Sequence, residues 1–412
     1  MPDADPRPSD VPRPAPLREK RVVLGVSGSI AAYKAFEIAR RLEDAGATVD
    51  VALTENANRF APAFTFRNLI SGQVALDMWA TDVEPELHVE LGRRADALVV
   101  APASATTLAK LASGIGDSML TLTALATTAP LVVAPAMDAQ MFANAAVQQN
   151  LERLRARGVM IAGPAKGRLA SGREGLGRMV EPADVVGAVR AVIGRASGDL
   201  RSKHVVVTAG GTREAIDPVR FVGNHSTGKM GFAVAEAARD RGAAVTLITT
   251  QEPPAGLFGV VIRRVVSGRE MKQAVDERVT GTDAIIMAAA VADYRPAAAA
   301  DQKLKKDGDG GLKLDLEQTD DIIAGVEGSL IKVGFAAETE ELLANAARKV
   351  ESKGLDFIVA NDVSDGDVHS GFGTETNQVT LLDRDGGSEQ LPLLHKYDVA
   401  QRVLDRVVAR LG

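Results

Sequence analysis

Short runs of aliphatic and β-branched residues alternate with longer stretches of helical periodicity along nearly the whole chain. In the first half the runs over 21–26, 48–53, 97–101, 131–134 and 159–162 predict strands. In the second half the runs over 204–208, 244–248, 260–265, 284–288, 332–335 and 357–360 do the same. Helical patterns follow the opening strand of each half, over 30–45 and from Phe232 onward. Strands alternating with helices indicate parallel sheets covered on both faces. Near the end, runs over 378–382 and 390–393 flank Arg384-Asp385-Gly386-Gly387, a turn sequence that predicts a hairpin. The expected fold is therefore α/β, with two doubly wound, Rossmann-like domains in tandem. The stretch 193–203 is polar, contains glycine and lacks periodicity, as a linker should. That gives domains over 21–192 and 204–412, preceded by a Pro-rich polar segment, 1–20, expected to be a disordered tail.

Composition narrows the function classes. The chain has 412 residues, 46% of them hydrophobic and 25% charged, enough for real cores in more than one domain. A net charge of −6 and the lack of a long basic block give no reason to expect a nucleic-acid partner. No apolar run is long enough to span a bilayer, and the first twenty residues lack the apolar centre of a signal peptide, so no membrane partner is expected. Cysteine is absent, which rules out disulfides and thiolate chemistry and suits a cytoplasmic protein.

The candidate chemistry sits where the predicted strands end, the place at which doubly wound sheets bind ligands. In the first half, Ser27-Gly28-Ser29 opens a helix, Thr54 reads as a helix N-cap, and Ser104 and Thr106 follow the third strand. Hydroxyls at helix N-termini favour a phosphate. The fourth strand leads into Ala134-Pro135-Ala136-Met137-Asp138. In the second half, residues 208–231 hold T-A-G-G-T-R-E-A-I-D-P-V-R-F-V-G-N-H-S-T-G-K-M-G between a strand and a helix. Gly223, Gly228 and Lys229 carry P-loop spacing, but Met230 stands where a P-loop has the Mg²⁺-binding hydroxyl. For Arg220 a structural ion pair with Asp217 competes with a functional role.

The clusters of the first half, in this order and spacing, resemble the flavin-containing cysteine decarboxylases. That resemblance implies a flavodoxin-like domain whose FMN is held by Ser27, Gly28, Ser29, Thr54, Ser104, Thr106 and Met137, partly across a trimer interface. It implies His88 as the active-site histidine, and imidazole titrates in the range useful for proton transfer. It also makes 168–179 a mobile flap. At two positions the pattern differs: Asp138 replaces the asparagine that grips the substrate carboxylate, and Ser171 replaces the proton-donating cysteine. A hydroxyl is a far weaker acid than a thiol of pKa about 8.5.

Residues 204–412 resemble the phosphopantothenate–cysteine ligases. The elements that carry this are Asp217-Pro218-Val219-Arg220 and the 223–231 run, then 288–294, 303–306, 334–339, 353–356 and 360–363. The resemblance implies a CTP-binding domain, dimeric, that activates 4′-phosphopantothenate as an acyl-cytidylate before cysteine displaces CMP. It places Lys303, Lys349 and Lys353 at the CTP phosphates, with Asp293 and Phe335 at the nucleoside and Asp321 and Ile322 lining the same site. It assigns Asn224 to the acyl intermediate and Arg220 to the second half-reaction. A triphosphate facing a carboxylate calls for Mg²⁺, whose ligands the sequence leaves unknown.

The halves in this order imply coenzyme A biosynthesis: CTP-dependent ligation, then FMN-dependent decarboxylation of phosphopantothenoylcysteine to 4′-phosphopantetheine. The substitutions at Ser171 and Asp138 keep a second reading open, a ligase with an FMN-binding scaffold impaired in decarboxylation. A non-catalytic flavoprotein regulatory subunit is a third.

Overall fold

A computed structural model describes residues 8–79, 86–305, 312–338, 342–362 and 373–412. Lys306, Thr339, Val363 and the first seven residues of the expected tail lie outside the described residues. The chain forms two compact units, one of residues 15–198 with 255–259 and one of the remainder. The expected linker starts too early: one helix runs unbroken over Pro182–Ser197, with Ile193 and Gly194 buried, so the junction falls at 198/199. The tail expectation also needs correction from residue 8 onward. Leu17 is buried in the core of the first unit and its N–H donates to the Ala45 carbonyl at 2.8 Å. Prolines and charges masked the buried apolar residues Val11 and Leu17.

The first unit has a six-stranded sheet: β1 (Arg21–Val26), β2 (Thr48–Leu53), β3 (Val74–Ala75), β4 (Ala97–Ala103), β5 (Leu131–Pro135) and β6 (Met160–Ile161). Every pairing is parallel, in the order β3-β2-β1-β4-β5-β6. Without the two-residue edge strand β3, this is the 2-1-3-4-5 order of flavodoxin-like folds. Val22, Leu24 and Val26 pack into one core and Val23 into the other, so β1 is buried on both faces. A hairpin, β7 (Ala165–Arg168) and β8 (Glu174–Arg178), stands apart from the sheet. Its alternating Gly and charged residues carry no hydrophobic signal, and the sequence pattern gave no strand there.

The second unit opens with β9 (His204–Ala209), followed by a small pair, β10 (Arg213–Ala215) and β11 (Phe221–Gly223). The chain continues through β12 (Ala244–Thr249), β13 (Val261–Arg264) and β14 (Ala284–Met287). A second small pair follows, β15 (Tyr294–Pro296) and β16 (Leu316–Gln318), then β17 (Ile331–Glu338) and β18 (Phe357–Asp362). The remaining strands are β19 (Thr376–Asn377), β20 (Val379–Asp383), β21 (Ser388–Gln390) and β22 (Leu394–His395). The main sheet runs β13-β12-β9-β14-β17-β18-β20-β21, parallel as far as β18 and antiparallel beyond it. The terminal hairpin forms about the expected turn, but its second arm is 388–390 rather than 390–393. Leu391 and Leu393 are buried instead of extending the arm. Among the described residues no helix is long and apolar enough to cross a membrane.

Candidate active sites

In the first unit the strand order reverses between β1 and β4, so the loops after these strands frame a crevice. Ser27 ties them together. Its hydroxyl donates to the Pro102 carbonyl at 2.8 Å and accepts the Ser104 N–H at 2.9 Å, and the residue is buried. Ser29, Thr54 and Ser104 each cap a helix, accepting from the N–H groups of Ala31, Ala57 and Thr107 at 3.3, 3.1 and 3.3 Å. Gly28 and Ser29 are half-buried and Thr106 is exposed beside them, so the loops present backbone N–H groups and some hydroxyl surface to an incoming anion. The helix Leu87–Arg94 runs down into β4, which puts its first turn, with half-buried His88, at the carboxyl edge of the sheet.

The hairpin β7–β8 lies on the loop after β5. Met137 N–H donates to the Gly177 carbonyl at 3.0 Å, and a Cβ at 177 would stand 2.3 Å from the Met137 carbonyl oxygen. Glycine is therefore required there for close approach. At the tip, Ser171 Oγ donates to Asp138 Oδ2 at 3.0 Å. The other carboxylate oxygen of Asp138 accepts the Gln140 N–H at 3.0 Å, capping a short helix. The Gln140 N–H, then the Ser171 hydroxyl, hold Asp138 below the usual carboxylate range, with Arg173 adding to them and burial opposing. The two positions that differ from the resembled pattern are thus one hydrogen-bonded pair.

In the second unit the reversal lies between β9 and β14, and the loops that follow are laced together. Ala290 N–H donates to the Gly210 carbonyl at 2.9 Å, Thr212 N–H to the Ala290 carbonyl at 3.2 Å, and Ala292 N–H to Thr212 Oγ1 at 3.0 Å. A Cβ at Gly211 would lie 2.4 Å from the Asn224 carbonyl oxygen, so the glycine lets the 223–228 loop close over β9. Beneath that loop is a cavity of about 1000 Å³. Asn224, Asp293, Asp321, Ile322, Phe335, Lys349 and Lys353 all line it. Ile322, Phe335, Leu355 and Ile358 contribute apolar lining, and the two lysines with Asp320 and Asp321 contribute charge. Asn224 is oriented by its amide, which donates to the Val291 carbonyl at 3.1 Å. Lys353 pairs with Asp321 at 2.9 Å and its N–H donates to the Lys349 carbonyl at 3.1 Å, placing both ammonium groups on one helical face.

Two expected residues are not among those lining this cavity. Arg220 is paired with Asp217 and Lys303 is exposed on the excursion between β15 and β16. Lys229, at the start of the helix Lys229–Asp240, donates to the Gly373 carbonyl and to Glu375, both at 2.6 Å, so it does not take up a P-loop role. Sequence reasoning missed His225 as a lining residue, together with Ala289–Ala292, Tyr294, Gln318 and Thr319. Only the small-residue run after β14 offered a signal, since small side chains next to a strand end leave room for a ligand.

Residues 11–194 match the family described as Flavoprotein, and residues 200–411 match the DNA/pantothenate metabolism flavoprotein C-terminal domain. The chain is 43% identical over 402 residues to the Coenzyme A biosynthesis bifunctional protein CoaBC of Bacillus subtilis, covering 95% of this chain and 98% of that one. It is 42% identical over 394 residues to the protein of the same name from Vibrio cholerae, covering 94% and 98%.

Proposed function

The chain belongs to the family of bifunctional coenzyme A biosynthesis proteins, and from that membership we propose how its two units divide the work. It is an enzyme with phosphopantothenate–cysteine ligase and phosphopantothenoylcysteine decarboxylase activities. The observation that carries the ligase assignment is the single cavity gathering Asn224, Asp293, Asp321, Phe335, Lys349 and Lys353 at the carboxyl edge of the second sheet.

There the carboxylate of 4′-phosphopantothenate attacks the α-phosphorus of CTP, and pyrophosphate leaves. The cysteine amine then attacks the acyl carbon of the cytidylate, and CMP leaves. Lys349 and Lys353 offset the triphosphate charge, the apolar floor takes the base, and a Mg²⁺ accompanying the nucleotide would supply further charge neutralisation. The Asn224 amide, held by the Val291 carbonyl, faces the activated acyl group. In the first unit, capped loops with half-buried Gly28 and Ser29 and exposed Thr106 fit the phosphate of FMN at the switch point. Bound FMN would supply the electron sink for decarboxylation. With FMN bound, His88 would move protons at the carboxyl edge, Met137 would be one of the residues holding the flavin, and the hairpin tip bearing Ser171 would exclude water.

Large apolar side chains after β1–β3, among them Ile30, Tyr33, Phe64 and Trp79, are exposed and support a homotrimer through this unit. Val219 and Phe221 support a dimer through the other. We place the enzyme in the cytoplasm, where its charged substrates occur. Mass analysis of the products from CTP, cysteine and 4′-phosphopantothenate tests the whole reading. The expected product is 4′-phosphopantetheine with CMP and pyrophosphate. Phosphopantothenoylcysteine as the only product would remove the decarboxylase, and no condensed product would sink the proposal.

A further inference from the structure

The Asp217 carboxylate is fully buried and densely bonded. One oxygen accepts the N–H groups of Val219 and Arg220, each at 2.8 Å. The other accepts Arg220 Nε at 2.9 Å, Arg220 Nη2 at 2.5 Å and the Leu304 N–H at 3.2 Å. Arg220 Nη2 also donates to the Leu304 carbonyl at 2.7 Å. The pair therefore binds both the N–H and the C=O of Leu304, as a neighbouring strand would, across 84 positions of sequence. Ala300 N–H adds a bond to the Ile216 carbonyl at 2.9 Å, so the same turn holds this excursion at two places. The residue next to the gripped one is Lys303.

We propose that Arg220 is a positioning residue, which with Asp217 clamps the backbone of Leu304 and so sets where the Lys303 ammonium meets the nucleotide phosphates. This rests on the ligase reading, in which the resemblance to the ligases, and not the cavity lining, puts Lys303 at the phosphates. It accounts for an arginine whose Nε and Nη2 both donate to protein groups and which is not among the residues lining the cavity. Burial pushes the Asp217 carboxyl up, but the guanidinium and the backbone N–H groups more than reverse it and hold the group far below the usual carboxylate range. The carboxylate of the clamp is accordingly ionised at neutral pH.

Arg220→Lys is the informative substitution, because it keeps a cation beside the buried carboxylate while an ammonium lacks the planar fork that bonds Asp217 and Leu304 together. Pyrophosphate release is measured against CTP concentration for Arg220→Lys, Lys303→Gln and the double variant. Each single change should raise KM for CTP by about tenfold, and the double variant should be no worse than Lys303→Gln alone. Additive effects, or an unchanged KM in Arg220→Lys, would overturn the proposal. Trypsin cleavage after Lys303 and Lys305 gives a readout independent of activity. It should accelerate in folded Arg220→Lys relative to the wild type, and equal rates would count against the clamp. If the wild type releases no pyrophosphate at all, the ligase reading fails, while the cleavage comparison still decides whether the clamp exists.

Discussion

At the first switch point the polar side chains bond mainly to the protein's own loops, whereas at the second they line an open cavity. Ser27, Ser29, Thr54 and Ser104 each accept a backbone N–H in the first unit. In the second, Lys349, Lys353, Asp293 and Asp321 surround about 1000 Å³ of space. Both units share the parallel, doubly wound order around their first strand. Topology therefore decides where a ligand binds, and the loops decide how. A flavin phosphate is met by backbone N–H groups that need rigid loops to aim them. On the proposed function a reacting triphosphate is met by lysine side chains that border open space, one of them paired with Asp321.

The sharpest way to break this contrast is Asn224→Ala. Losing a donor at the activated acyl group should lower ligation by roughly 10²–10³, while CO₂ release from added phosphopantothenoylcysteine stays at the wild-type rate. A matching fall in both activities would show that the units do not work separately. Next comes the hairpin tip. Ser171→Cys, alone or with Asp138→Asn, should speed CO₂ release by about tenfold, since a thiol is the better acid; an unchanged rate would assign the proton to another group. Lys353→Ala removes one phosphate cation and frees Asp321. Its KM for CTP should rise by about fivefold to tenfold with thermal stability unchanged, and a normal KM would move the triphosphate elsewhere.

The smallest effect concerns Asp138. Its depressed carboxyl is ionised at neutral pH, so the bond to Ser171 is fully present above the ordinary carboxylate range and is lost as pH falls through the depressed value. A carboxyl NMR titration of Ser171→Ala should show the Asp138 midpoint higher than in the wild type. An identical midpoint would mean that the hydrogen bond does not hold in solution.

The sheets were legible because buried parallel strands announce themselves as apolar runs, and each expected strand appears within a few residues of its place. The small pairs β7–β8, β10–β11 and β15–β16 were not, since glycine, charge and short length leave no periodicity. The cavity was legible through its charged and aromatic members, yet its backbone-facing members were hidden. Ala290 and Val291 contribute carbonyls, and a carbonyl is the same in every residue. Arg220 illustrates a different limit. Sequence supplied both of its readings, and only the bonds to Leu304 show what the ion pair is attached to.

The hydroxyl at the tip of β7–β8 has a consequence beyond acidity. On the proposed function one substrate is cysteine, and the ligation product would bring a free thiol to the decarboxylase site beside Ser171. A cysteine at 171 would put a second sulfur within reach of that thiol, and any oxidant could join the two as a mixed disulfide. The chain has no cysteine anywhere. Thiols passing through either unit would thus find no thiol of the chain to couple to, and an oxidant could not join them to it by a disulfide.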